Sequence, residues 1–144
     1  MTYLELSNYI CRKAISNKLF QYAAEGNVYN LNDKTIKDYP AFLMSGVGPH
    51  TDTGTLMKYQ VSFFYFDRLA NDNSNDTQIY SQGIEALKNI VNALRHDEYI
   101  LRVSEEIQYT PFLGAETQVL SDRTCGVYCT LTLTVKNNTT CYID

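Results

Sequence analysis

The stretch TCGVYCTLTLTV, residues 124–135, constrains the fold more than any other part of the chain. Cys125, Val127, Cys129, Leu131, Leu133 and Val135 occupy one side of an extended backbone, and Thr124, Gly126, Tyr128, Thr130, Thr132 and Thr134 the other. Successive side chains of a strand point to opposite faces, so this alternation defines a strand with one face on a core and the other toward solvent. Antiparallel sheets provide that environment, whereas parallel sheets are covered on both sides. A second strand carries Tyr59, Val61, Phe63 and Tyr65 on one face. Its other face begins polar, at Gln60 and Ser62, and turns apolar at Phe64 and Phe66. The far half of this strand therefore requires cover on both sides, from a second layer of the same chain or from a neighbouring subunit.

Two helices supply cover. Residues 2–17 put Leu6, Ile10 and Ala14 on one stripe with Tyr3 leading into it, and Thr2 stands at capping-box spacing from Glu5. Residues 77–95 place Ile84, Leu87, Val91 and Leu94 on one face, widened by Ile90, with Asn75 or Asp76 supplying the N-cap oxygen. Gly83 costs that helix about 1 kcal/mol relative to alanine, which predicts close packing against a strand. Shorter extended pieces are expected at Phe20–Ala23 and Val28–Leu31 around the turn Glu25-Gly26-Asn27, and at Ala41–Met44 after Pro40. Another is expected at Tyr99–Tyr109, where Tyr99, Leu101, Val103 and Ile107 share a face and Asp97 marks the preceding turn. The segment SGVGPHTDTGT, residues 45–55, holds three glycines and a proline and is expected to be an exposed, mobile loop between two strands. There is no internal repeat, linker or low-complexity segment. Residues 1–144 thus read as a single α+β domain, a mostly antiparallel sheet with an N-terminal helix and a central helix packed on one face.

Charge narrows the function. The net charge is -4 and the densest basic cluster is the pair Arg12-Lys13, so the basic stripe of a nucleic-acid binder is missing. No stretch approaches the roughly 20 apolar residues of a membrane-spanning helix, and the N-terminal residues lack the apolar run of a signal peptide. The expectation is a soluble protein made in the cytoplasm, in which the sequons at Asn75, Asn137 and Asn138 carry no weight. Twelve tyrosines and six phenylalanines without a tryptophan suit half-buried surfaces such as interfaces, or simply a tyrosine-rich β protein.

Candidate chemistry is sparse. Cys125 and Cys129 are four strand residues apart, about 13 Å, too far for a disulfide, which needs Cα atoms within about 7 Å. They read as small buried hydrophobes, and Cys11 and Cys141 have no neighbouring ligands in sequence. His50 stands two residues before Asp52, a pair able to hold a metal or orient a base, but a third ligand at recognisable spacing is missing. His96-Asp97 fits a dipole partner and a turn at a helix C-terminus. Nucleophile-elbow, phosphate-loop and dinucleotide motifs are absent, and Asp72-Asn73-Ser74-Asn75-Asp76 lacks the glycine and closing glutamate of a calcium loop. Asp67 closes an apolar strand, where many enzymes keep a catalytic acid, yet with Arg68 it fits a structural corner or an ion pair equally well. The expectation is no enzyme and no cofactor or metal.

The order of a Phe-rich strand, FDRLANDNSND and then IYSQGIEALKNIVNAL resembles tail-terminator and head–tail connector proteins of tailed bacteriophages, most of all those of crAss-like phages infecting Bacteroidales. The later IQYTPFLGAETQVLSDRTCGVYCTLTLTV, with Asp122 in a polar turn and Gly126 before an alternating strand, resembles their closing part. Together these segments span residues 59–135, about half of the chain. The resemblance implies a non-enzymatic, tail-terminator-like virion subunit, assembled in the host cytoplasm into a sixfold or twelvefold homo-oligomeric ring. Its partners would be its own copies and neighbouring portal, adaptor or tail proteins, with DNA only as cargo through the channel and no membrane contact. Phe64, Phe66, Asp67, Arg68, His50 and Asp52 are then the candidate subunit-interface residues. The competing readings are a monomeric phage accessory protein that binds a host partner, and a small hydrolase using Asp67 with His50 brought in by the glycine-rich loop.

Overall fold

The computed structural model describes residues 1–16, 18, 20–26, 39–46, 48–68, 74–113 and 124–137. The elements in chain order are α1 (Tyr3–Ser16), β1 (Tyr22–Glu25), β2 (Ala41–Ser45), β3 (His50–Asp52), β4 (Leu56–Arg68), α2 (Asp76–Arg95), β5 (Ile100–Val103), β6 (Thr110–Leu113) and β7 (Thr124–Lys136). The expected architecture is present: a seven-stranded, mostly antiparallel sheet with an N-terminal and a central helix.

The two alternating segments form its spine. β4 and β7 pair antiparallel over all 13 residues of each, from Leu56 opposite Lys136 to Arg68 opposite Thr124. This register sets Tyr59, Val61, Phe63 and Tyr65 beside Leu133, Leu131, Cys129 and Val127, so the two apolar faces coincide. The outer side of β4 carries β3 near Met57–Tyr59 and β2 at Ser62–Phe66, and β1 continues from β2 in parallel. The outer side of β7 carries β6 at Cys125–Tyr128 and β5 at Leu133–Val135.

Both helices lie on the same face. Leu6, Ile10 and Ala14 of α1 and Ile79, Leu87, Ile90, Val91 and Leu94 of α2 join Phe42, Met44 and the odd-numbered residues of β4 and β7 in the main core. Thr2 caps α1 as its spacing predicts: its Oγ1 accepts the Glu5 N–H at 3.2 Å and donates to Glu5 Oε1 at 3.0 Å. Gly83 packs as predicted too, since a Cβ there would lie 2.8 Å from Tyr65 Cδ1 and 2.9 Å from Val127 Cγ2.

Several expectations are corrected. The first extended piece lies at Tyr22–Glu25 rather than Phe20–Ala23, and Phe20 instead meets Phe42 and Tyr65 edge-on in the core. Val28–Leu31 lies outside the described residues. Of the two candidates for the start of α2, Asn75 makes no cap bond with its side-chain oxygen and turns its amide to the Arg68 carbonyl, at 3.2 Å, whereas Asp76 Oδ1 accepts the Thr77 N–H at 2.7 Å. The strand expected at Tyr99–Tyr109 is shorter, Ile100–Val103, with β6 starting only at Thr110, and a register shift between Ile100 and Arg102 buries Ile100 and Val103 and leaves Tyr99 and Leu101 exposed.

Candidate functional site

The face of the sheet away from the helices changes character along its length. At one end Ala41, Leu43 and Phe66 are buried with Tyr22, Ala24, Tyr39, Phe64 and Phe112 around them. Phe64 stacks on Phe66 at 5.9 Å and on Tyr128 at 5.6 Å, and Phe112 meets Phe66 edge-on at 5.2 Å. The two-sided burial demanded by the end of β4 is thus met largely within the chain. Phe66 is 1% exposed, while Phe64, Phe112 and Tyr128 keep part of their surface open. Midway the side chains become polar: Ser62 Oγ and Thr130 Oγ1 share a hydrogen bond of 2.9 Å, and Gln60 stands opposite Thr132. Two shallow hollows occur here, one lined by Gln108, Thr110, Tyr128 and Thr130, the other by Ser45, Gly48, Gln60 and Ser62. The far end carries the exposed Lys58 and Lys136.

Asp67 and Arg68 form a corner. Asp67 Oδ1 accepts the Arg68 backbone N–H at 2.8 Å, and its Oδ2 accepts the Tyr65 hydroxyl at 3.5 Å. The Arg68 guanidinium lies over the Tyr39 ring, 5.0 Å from its centre, on the opposite face because adjacent strand residues alternate. Asn75 then ties the start of α2 back to the Arg68 carbonyl. These contacts orient the exit from β4 toward α2.

His50 and Asp52 belong to a hairpin, where a mobile loop was expected. β3 pairs with Met57–Tyr59, Thr53 exchanges bonds with Leu56, and Asp52 Oδ1 accepts the Gly54 N–H at 2.7 Å. Asn137, just beyond β7, donates to Asp52 Oδ1 at 2.7 Å and to the Gly54 carbonyl at 3.1 Å. The His50 ring sits between Tyr3 at 5.3 Å and Tyr59 at 5.0 Å, with Nε2 3.1 Å from the Gly46 carbonyl. His50 and Asp52 are therefore each held by structural partners. His50 and Asp67 lie toward opposite ends of β4, since His50 pairs with Tyr59, eight residues before Asp67. Among the described residues no group of three or more His, Cys, Asp or Glu side chains is placed to hold a metal ion.

The most elaborate polar cluster is one that the sequence did not single out. Asp97, following α2, accepts the Tyr9 hydroxyl in a short bond, an ion pair from Lys13 Nζ at 2.7 Å and the Tyr99 N–H at 2.8 Å. Its burial would raise the carboxyl pKa, but the bonds from Lys13, Tyr9 and the Tyr99 amide outweigh that and hold it below the usual value. Burial and the same carboxylate push the Tyr9 phenol up, and the bond to Asp97 raises the Lys13 ammonium. The signal in sequence was the i, i+4 pair Tyr9 and Lys13 on the flank of α1, without any sign of what it met. The arrangement fastens α1 to the turn between α2 and β5.

Cys125 and Cys129 are buried as expected, with thiols pushed up by burial to about 11 and about 12. They are packing residues on the helix side of β7. Compared with models of known protein families and with curated proteins, the sequence matches none.

Proposed function

We propose that the protein is a structural component of a tailed-bacteriophage virion, forming a homo-oligomeric ring at the head–tail connector or tail terminator around the DNA channel. The observation that carries this reading is the inequality of the two sheet faces. One is closed by both helices, and the other presents partly open aromatic rings at Phe64, Phe112 and Tyr128 beside a band of hydroxyl and amide groups. A slab of this kind, stiffened by a 13-residue strand pair, is suited to stacking against neighbours by its open face. The net charge of -4 suits a conduit through which DNA slides without adhering. Asp67 and Arg68 serve as a corner in this reading, and the resemblance of residues 59–135 to connector proteins points the same way.

The test is native mass spectrometry of the purified protein, with negative-stain images of the same sample and a search for the chain in purified virions. A closed ring, or the chain found in virions, is the expected result. A monomer absent from virions that captures a host protein would replace this reading with that of an accessory binding protein.

A further inference from the structure

We draw no further inference here: the strongest candidate, the groove between α1 and β1 at Cys11, Ile15 and Ala23, carries nothing, because no feature among the described residues shows what covers it.

Discussion

Along the same run of β4, from Tyr59 to Phe66, the two faces of the sheet rest on different chemistry. On the helix side Tyr59, Val61, Phe63 and Tyr65 meet Leu133, Leu131, Cys129 and Val127 across the register, and none of the four is more than 6% exposed. On the other side Gln60 and Ser62 meet Thr132 and Thr130, and only Phe64 and Phe66 continue into an aromatic cluster. The helix side gains stability from apolar area, about 1.5–3 kcal/mol for each fully buried large side chain. The open side needs little beyond mutual hydrogen bonds and water except at its aromatic end. The difference teaches that α1 and α2 fix what can stand on one face, while the other is free to be shaped by whatever it meets.

The comparison breaks most severely where both faces depend on one atom. Gly126 stands opposite Phe66, and a Cβ there would lie 1.6 Å from the Tyr65 carbonyl oxygen and 3.2 Å from Phe112 Cζ. A backbone oxygen within the β4–β7 ladder cannot retreat without parting the strands there. Gly126→Ala is expected to cost at least about 3 kcal/mol, seen as a large fall in melting temperature or insoluble expression. Gly83→Ala is the milder control. Its new methyl would press on side-chain atoms of Tyr65 and Val127, and the gain in helix propensity, about 1 kcal/mol, offsets part of the strain. Equal losses from the two substitutions would show that β4 and β7 can separate locally, contrary to the register.

Neighbouring phenylalanines measure the faces directly. Phe63→Ala empties a site that is 0% exposed, and the expected cost is about 3–5 kcal/mol in chemical denaturation. Phe64→Ala removes a ring that is partly open to solvent, and about 1–2 kcal/mol is expected in the isolated chain. Comparable costs would mean that the open face is as tightly packed as the covered one.

A smaller effect is expected at Asp97, which holds the covering layer together. Asp97→Asn should cost about 2 kcal/mol, since it weakens a charge-assisted bond from Lys13 and the short bond from Tyr9. The wild-type carboxyl has its pKa below the ordinary value, so its contribution is complete above the unfolded-state pKa of about 4. That contribution fades as pH falls through the lowered folded-state value. Urea midpoints measured from pH 6 downward should therefore drop more for the wild type than for Asp97→Asn. Parallel profiles would show that Asp97 does not contribute to the acid limb.

The parts of the fold that were legible are those where burial is one-sided over many residues. β4, β7, α1 and α2 write their surroundings into a period of two or of 3.6 residues. β3 has no such period, because His50, Thr51 and Asp52 are all exposed, and its turn is held both by local bonds within 52–56 and by Asn137, 85 residues away from Asp52. β5 misled because its shift in register inverts the apparent apolar face, placing Ile100 rather than Leu101 inward. Of the candidate residues, the corner at Asp67 and Arg68 could be read from its place at the end of an apolar strand. The fate of Phe66 could not, since beyond its strand neighbour Phe64 its cover includes Phe112, which reaches it from another strand that local sequence does not reveal. Asp97 was read as a turn because its partners Tyr9 and Lys13 lie on another helix.

The gentlest probe uses the cysteines, which sample the covered face and the outside of its cover. Only the thiolate reacts with an alkylating reagent, and burial pushes the thiols of Cys11 and Cys125 up to about 11 and that of Cys129 to about 12. Pressure from pKa is thus similar at Cys11 and Cys125, and access decides between them. Cys125 and Cys129 are 0% exposed beneath the helices, whereas Cys11 is half-buried in the groove between α1 and β1. Iodoacetamide at pH 8, followed by peptide mass spectrometry, should label Cys11 slowly and leave Cys125 and Cys129 unmodified until urea unfolds the chain. Labelling of Cys129 as fast as Cys11 would mean that the helices lift from the sheet without global unfolding, and the two faces would then differ in composition but not in protection.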